Sequence, residues 1–370
     1  MPEPAGIAHP PLTVRAVRAT AVRVPMRFVL GTSAAAVREA PLLLVDVETE
    51  EGVTGHAWQF CYVDAAAPGI VRMLVEVEGL AKGQRVAPEA LWALLAKRFR
   101  LIGVEGIVRM ALAMFDTACW DALAKAAKLP LARYLGAEPR PVPTYNSNGL
   151  GLMPAAQLAD EAEQLLAGGF KAIKLRLGYP TLEEDVAALR AVRGRVSDGI
   201  AIPVDYNQAL EPDEAIRRGR ALQTEGAYWL EEPIRHDDYT GCARVANALA
   251  LPVQIGENFS QVHDMEKALA AGACDLVMPD LERIGGVTGW RRAAALAQAR
   301  GIQMSSHLYP EVSAHLLCAT PTAHWLEYVD WANAVLQEPL VIADGMAVPS
   351  ARPGNGLAWD AGAVARYRLI

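Results

Sequence analysis

The sequence predicts an α/β protein in which a (β/α)8-type barrel follows a smaller α+β domain. Between residues 139 and 347, short apolar runs alternate with amphipathic helical patterns, which is typical of parallel strands joined by helices. The preceding residues instead show strand-like runs followed by several helical patterns. A doubly wound open sheet is the main alternative, and it is disfavoured because no G-x-G-x-x-G motif follows the first strand.

Composition narrows the class of protein further. A length of 370 residues corresponds to roughly two domains, and 52% hydrophobic content provides an ample core. The net charge of −7 argues against a nucleic-acid or acidic-membrane partner, because both require a basic surface. No apolar run approaches the ~18 residues that a membrane span needs. A small molecule is therefore the expected partner.

The cysteines and the first residues bear on the cellular compartment. The five cysteines are scattered and contain no C-x-x-C pair, so neither a disulfide framework nor a zinc site is predicted. This usage fits a reducing compartment, and we expect a cytoplasmic protein. Residues 1–12, MPEPAGIAHPPL, have no basic or long apolar region, so a flexible tail is predicted rather than a signal peptide.

Residues 13–138 are predicted to form the α+β domain. Residues 14–26 and 41–60 indicate three antiparallel strands, the last two joined by a turn. Residues 27–40 show no sustained period and are predicted to be a loop of the kind that often forms an active-site lid. Helical patterns follow at residues 65–79, 87–99 and 106–127, the last of them apolar on most sides and so buried.

Eight strands are predicted for the barrel domain, residues 139–347. They are residues 142–147, 172–178, 200–208, 228–233, 253–258, 276–280, 302–307 and 324–329. Several of the intervening helical patterns end at glycine before the next strand, as helix C-termini commonly do. The alternation stops at residues 348–370, which are expected to fold back onto the first domain.

Every predicted strand ends in a polar group. The groups are Ser147, Lys174, Arg176, Asp205, Asn207, Glu231, Glu232, Glu257, Asn258, Asp280, His307 and Glu327. A single acid at a strand end is more often a helix cap or a surface ion pair. Because active sites of barrels lie at the carboxyl ends of the strands, a polar group at all eight ends predicts one shared site.

Three of these strand ends predict a magnesium site. Asp205, Glu257 and one of Glu231 and Glu232 come from consecutive strands, and crowded carboxylates repel unless a cation holds them. The set contains only hard oxygen ligands, which favours Mg²⁺ over Zn²⁺. Side-chain alternation allows only one of the two consecutive glutamates to face the centre, and the pattern does not decide which.

The remaining ionisable groups suit proton transfer. Lys174 and Arg176 share one face of the second strand, and His307 lies on the seventh. Asp280 ends the neighbouring strand and is expected to fix the tautomer of His307. Glu327 is predicted to stay protonated and to donate to a developing oxyanion. A cation, fixed positive charge and an acid are what removal of a C–H proton beside a carboxylate requires.

Several motifs carry a resemblance to a known family. They are KLRLGYP, VDYNQ, WLEEP, GEN, MPDLERIGGVTGW and MSSHLYPEVSAHLLCATPTAHWLE. From about Arg18 onward the chain resembles the enolase superfamily, and within it the mandelate racemase subgroup. The resemblance implies a modified (β/α)7β TIM barrel with a capping domain, and usually a homo-oligomer. It also implies Mg²⁺-dependent removal of the α-proton of a 2-hydroxy carboxylate to give a metal-stabilised enolate.

The resemblance also implies roles for individual residues. Asp205, Glu231 and Glu257 match the metal ligands, and His307 with Asp280 matches the base dyad.

Other positions match substrate contacts. Lys174 matches the lysine that binds the substrate carboxylate, and Glu327 matches the electrophilic acid. Ser147 and Asn207 match contacts to the carboxylate and the hydroxyl, and residues 27–40 match the lid.

One catalytic position departs from the family pattern. The K-x-K motif is K-x-R here, so Arg176 stands where a second lysine base is expected, and guanidinium stays protonated. Racemisation or epimerisation then needs Lys174 as the opposing base. The alternative is an acid-sugar dehydratase with His307 as its single base. A barrel that only binds a metal and a carboxylate is a second alternative, and the intact dyad disfavours it.

The predicted lid bears on the substrate. Met26, Phe28, Val29, Leu30 and the nearby Tyr62 are mostly apolar. They favour an aryl or alkyl 2-hydroxy acid over a polyol acid, which would need more hydrogen-bond partners.

Overall fold

The first domain of the computed structural model, which describes residues 9–32 and 36–369, is a three-stranded antiparallel sheet covered by helices. The strands are β1 (Val14–Gly31), β2 (Ala36–Thr49) and β3 (Thr54–Phe60), and the helices are α1 (Ala66–Ala81), α2 (Pro88–Phe99) and α3 (Gly106–Ala126). Helix α3 is buried along most of its length against β3 and α1, in agreement with its apolar sequence.

The prediction that residues 27–40 form a loop is wrong. β1 and β2 continue as a two-stranded hairpin, in which Leu30 pairs with Val37 and Gly31 with Ala36 after a register shift. We call residues 27–31 and 36–40 the lid hairpin; residues 33–35 lie outside the described part of the chain. Because most side chains of the two arms are not fully buried, the arms carry no clear alternation of apolar and polar residues.

The second domain is a closed parallel barrel, which confirms the predicted fold class. Its strands are β4 (Val142–Asn146), β5 (Leu175–Arg176), β6 (Val204–Asp205), β7 (Leu230–Glu231), β8 (Val253–Ile255), β9 (Leu276–Val277), β10 (Gln303–Met304) and β11 (Leu326–Tyr328). β5 to β10 pair in chain order and β11 pairs with β4. Parallel bridges from Asn146 to Ile173 and from Met304 to Ala323 complete the ring.

A short helix, α4 (Leu131–Tyr134), precedes the first barrel strand. The helices that follow strands β4 to β10 are α5 (Ala155–Leu165), α6 (Leu182–Arg193), α7 (Pro212–Thr224), α8 (Tyr239–Ala248), α9 (Val262–Ala271), α10 (Leu281–Ile284), α11 (Gly286–Arg300) and α12 (Pro310–Cys318). A 3-10 helix at Asn333–Val335 and helix α13 (Ala361–Tyr367) come after β11. No helix in the described ranges, 9–32 and 36–369, is long and apolar enough to cross a membrane.

A hairpin that the sequence pattern did not predict lies at the domain boundary near residue 347. β12 (Val341–Ala343) and β13 (Met346–Val348) pair with each other, and β13 runs antiparallel to β4. The turn uses Asp344 and Gly345, both with positive φ, and this Asp-Gly pair was the available signal.

The two ends of the described chain pack on other elements. Trp359 Nε1 donates to Asp46 Oδ1 at 2.7 Å, and the backbone N–H of Leu369 donates to the carbonyl of Ala21 at 2.9 Å. The prediction of a flexible tail is wrong for residues 9–12. The Leu12 side chain is buried, and His9 Nδ1 lies 2.7 Å from the Tyr134 hydroxyl. These packed groups fix residues 9–12; residues 1–8 lie outside the described ranges.

Replacing Gly55 by alanine is expected to destabilise the protein by about 3 kcal/mol. A Cβ at this position of β3 would overlap the carbonyl oxygen of Ala118 in α3, so the sheet and the helix would have to separate. Gly79→Ala in α1 is the control, because nothing surrounds its Cβ and alanine favours a helix. Urea unfolding of both variants measures the difference, and equal stabilities would contradict the close packing.

Candidate active site

Three carboxylates converge at the carboxyl ends of adjacent strands. Asp205 and Glu231 are paired residues on β6 and β7, and Glu257 follows β8. One oxygen from each lies within 4.8 Å of the others. Asp205 and Glu231 are fully buried, so their charges are poorly screened and a divalent cation would stabilise them. The donor set fits Mg²⁺, which prefers carboxylate oxygens.

The structure distinguishes the two consecutive glutamates. Glu232 has a φ of +36° and its carboxylate turns away to accept from Asn258 Nδ2 at 2.9 and 2.8 Å. Burial raises the pKa of Glu232 well above its ordinary value. Among the described residues only Glu231 of this pair joins the cluster.

Lys174 lies at the centre of the acidic groups. Its Nζ is 2.7 Å from Glu231 Oε1, 2.7 Å from Glu327 Oε1 and 3.4 Å from Asp205 Oδ2. Burial by itself would lower the pKa of Lys174, but Glu231 and Glu327 raise it well above its ordinary value. Lys174 is therefore a fixed cation in this arrangement.

His307 is oriented by Asp280. His307 Nδ1 lies 2.6 Å from Asp280 Oδ2, while Asp280 Oδ1 accepts the backbone N–H groups of Glu282 and Arg283 at 2.8 and 3.0 Å. Asp280 is thus the N-cap of α10 and cannot turn away from the imidazole. The dyad leaves His307 Nε2 directed at the acid cluster, 3.2 Å from Glu257 Oε2.

Electrostatics favour the protonated imidazole. Burial would lower the pKa of His307, but the carboxylates of Glu257, Glu327 and Asp280 outweigh it and raise the pKa to about 9. A cation bound by Glu257 opposes the contribution of that carboxylate, which favours the neutral form that a base requires.

The prediction that Glu327 stays protonated is contradicted by the charges around its carboxyl group. Burial would raise the pKa of Glu327, but Lys174, His307 and the backbone N–H of Leu308 together hold it below its ordinary value. The carboxyl is therefore ionised in this structure. The opposing cations, Lys174 just before β5 and His307 after β10, were predicted at strand ends, but strand-end position did not reveal their distances from Glu327.

Arg176 and Ser147 lie together at one side of the cluster. The guanidinium donates to the carbonyls of Ser147 and Gly149 and to Ser147 Oγ, at 2.8 to 3.2 Å. Ser147 is fully buried, and its hydroxyl oxygen accepts a hydrogen bond from Arg176 in this structure. Asn207 lies beside Asp205, with Nδ2 donating to Asp205 Oδ2 at 3.1 Å.

A pocket of about 310 Å³ opens above these groups. Its lining comprises Leu30, Thr32, Val37, Phe60, Tyr62, Val63, Lys174, Arg176, Asp205, Asn207, Gln208, Glu257, Asn258, Arg283, His307, Leu308, Glu327 and Trp331. The first domain and its lid hairpin therefore form the outer wall of a site whose charged residues come from the barrel.

Several lining residues were not predicted as part of the site. Trp331 packs on Phe60 at a ring distance of 4.7 Å, and the Arg283 guanidinium lies 4.9 Å from the Tyr62 ring. Arg283 follows Asp280 on α10 and Trp331 follows Glu327 on the loop after β11. The available signal was their position just beyond the predicted strand ends.

The fold and the site define a member of the enolase superfamily, and this chain belongs to it. The Enolase C-terminal domain-like family model matches residues 157–363. The Mandelate racemase / muconate lactonizing enzyme, N-terminal domain model matches residues 14–136, which places the chain in the mandelate racemase subgroup. The resemblance predicted from the motifs is therefore confirmed.

Characterised relatives are similar over most of the chain. The 3,6-anhydro-alpha-L-galactonate cycloisomerase of Streptomyces coelicolor is 32% identical over 94% of this chain and 97% of its own. The L-talarate/galactarate dehydratase of Salmonella typhimurium is 31% identical over 86% of this chain and 80% of its own. The protein is accordingly an enzyme of the isomerase or dehydratase type.

A solved structure is also similar. It is an enolase from Bradyrhizobium complexed with magnesium and mandelic acid, with a TM-score of 0.93 and 38% identity. The match covers 98% of this chain and 99% of the other. Its bound magnesium agrees with the cofactor predicted for this chain.

Proposed function

We propose that this enzyme removes the α-proton of a 2-hydroxy carboxylate to form an enolate, as a mandelate racemase-like racemase or epimerase. The observation that carries the proposal is the orientation of His307, whose Nδ1 faces Asp280 and whose Nε2 faces the carboxylate cluster. Asp205, Glu231 and Glu257 would hold Mg²⁺, whose positive charge would stabilise the negative charge that develops on the substrate carboxylate when the α-proton leaves.

The side chains divide the work between binding and proton transfer. Lys174 binds the substrate carboxylate, since its ammonium already lies among acidic oxygens at 2.7 Å. His307 Nε2 accepts the α-proton, and Asp280 stabilises the imidazolium that results. A substrate carboxylate beside Glu327 adds negative charge and raises the pKa of that acid, so Glu327 becomes able to donate a proton.

The second candidate is an acid-sugar dehydratase. Its support is the state of Arg176, which stands at the position of the second base: the guanidinium is committed to the carbonyl oxygens of Ser147 and Gly149. In this reaction His307 takes the α-proton, the bond from the β-carbon to its hydroxyl breaks, and the imidazolium returns the proton to the departing hydroxyl, which leaves as water. The curated dehydratase relative also supports this candidate.

The two enantiomers of a bound 2-hydroxy acid are expected to exchange their α-proton at very different rates in D₂O. Exchange from the face that His307 reaches is expected to be at least about a hundredfold faster than from the Arg176 face. Proton NMR of each enantiomer with enzyme and Mg²⁺ measures both rates, with EDTA as the control. Slow but measurable exchange on the Arg176 face is what a racemase with Lys174 as a weak second base requires, and no exchange on that face favours the dehydratase. Equal rates would contradict the interpretation of Arg176 as a group that cannot act as a base.

A panel of aryl, alkyl and sugar 2-hydroxy acids distinguishes the two outcomes. A racemase converts one enantiomer or epimer into the other, whereas a dehydratase releases a 2-keto-3-deoxy acid.

The cytoplasmic location and the homo-oligomeric assembly stay predictions.

A further inference from the structure

Two side chains hold the loop at residues 147–152: Glu161, whose Oε2 accepts the backbone N–H of Leu150 at 2.8 Å, and Arg176. The Arg176 guanidinium makes four hydrogen bonds to it, through the carbonyls of Ser147 and Gly149 and through Ser147 Oγ. The backbone N–H of Arg176 also donates to the carbonyl of Leu150 at 3.0 Å. We call residues 147–152 the platform loop.

The conformation of the platform loop needs this support. Gly149 and Leu150 have φ values of +61° and +43°, and leucine rarely adopts the left-handed region. The hydrogen bonds of Arg176 stabilise the carbonyls on both sides of this turn. A lysine at position 176 has no planar fork of donors and cannot reproduce them.

The lid hairpin packs directly on the other side of the platform loop. A Cβ on Gly151 would lie 2.6 Å from the Cα and the carbonyl oxygen of Gly31, so the two backbones are in contact. A Cβ on Gly149 would lie 3.2 Å from the Cβ of Phe28. Leu30, Thr32 and Val37 of the hairpin region line the active-site pocket, so this contact closes the pocket on that side.

We propose that Arg176 is a positioning residue that fixes the platform loop as the seat of the lid hairpin. Arg176 then keeps the pocket closed through its hydrogen bonds to the platform loop, and not through an interaction of its positive charge with the substrate. This gives a physical reason for arginine where a second lysine base was expected. The inference rests on the proposed function only for its activity readout.

Limited digestion with trypsin tests the seating without reference to activity. Arg27 and Arg38 are exposed residues of the lid hairpin and provide cleavage sites. Gly151→Ala is expected to accelerate cleavage there about tenfold, because the new methyl displaces the hairpin. Gly31→Ala probes the same contact from the other side, where the Cβ has 3.4 Å of room, and is expected to cleave like the wild type.

Arg176→Lys and Arg176→Gln test the arginine itself. Both are expected to accelerate cleavage as Gly151→Ala does, and to raise KM for the α-proton exchange while Mg²⁺ affinity is retained. The double variant Arg176→Lys with Gly151→Ala is expected to be cleaved no faster than either single variant, because both substitutions disrupt the same contact between the platform loop and the lid hairpin.

Other outcomes overturn the inference. If the lysine variant cleaves like the wild type, Arg176 acts through its charge, and additive effects in the double variant would likewise separate the arginine from the hairpin. If the wild type shows no exchange with any 2-hydroxy acid, the proposed function fails, while the cleavage rates still decide the role of Arg176. Thermal unfolding of each variant identifies general loss of folding.

Discussion

Replacing His307 by asparagine is expected to lower the rate of α-proton exchange by at least about a thousandfold, with Mg²⁺ binding retained. The imidazole directs Nε2 at the acid cluster, while the carboxylate of Asp280 fixes Nδ1. Asparagine keeps a polar side chain but has no basic nitrogen. NMR in D₂O measures the exchange, and calorimetric titration measures the affinity for Mg²⁺.

The control is a second histidine on the barrel. His324 lies outside the pocket, 3.3 Å from Ser305 Oγ, and His324→Asn is expected to leave exchange close to the wild-type rate. Exchange that survives in His307→Asn would assign the base to another residue and would end the proposed mechanism. Loss of Mg²⁺ binding in the same variant would show instead that the cluster itself had collapsed.

Replacing Glu257 by glutamine is expected to weaken Mg²⁺ binding by about a hundredfold or more. The substitution keeps the shape of the side chain but removes one of three negative charges within 4.8 Å. Titration of the purified protein with Mg²⁺ measures the change directly, independently of any substrate.

Glu232→Gln is the matched control for this prediction. Glu232 is also a glutamate and lies next to the cluster, but its carboxylate accepts a hydrogen bond from Asn258 instead. Its raised pKa favours the neutral carboxylic acid, which glutamine resembles. We expect its Mg²⁺ affinity to change by only a few fold. If Glu257→Gln titrates like the wild type, Glu257 is not a ligand.

The barrel and its polar rim were predictable because both are repeated local signals. Each strand has its own apolar run, and each run ends in a polar residue, so the order of strands places Asp205, Glu231 and Glu257 side by side. The motifs made the superfamily recognisable. The predicted runs are longer than most strands; residues 200–208, for example, contain β6, which is only the two residues Val204–Asp205.

The features that the sequence did not predict depend on partners distant in the chain. The ionised form of Glu327 is favoured by Lys174, which lies more than a hundred residues earlier, just before β5. Arg176 is occupied by carbonyls of the platform loop, and backbone acceptors carry no sequence signal. The lid hairpin was missed for another reason: most of its side chains are not fully buried, so they lack the alternation by which strands are recognised.

The return of the chain end to the first sheet has a consequence for biosynthesis. Val22 of β1 forms an antiparallel bridge with Arg368, and Ala21 accepts the N–H of Leu369. During translation β1 emerges early, but these partners leave the ribosome only after the entire barrel has been made. The sheet of the first domain thus gains this partner only after the residues of the barrel have been synthesised.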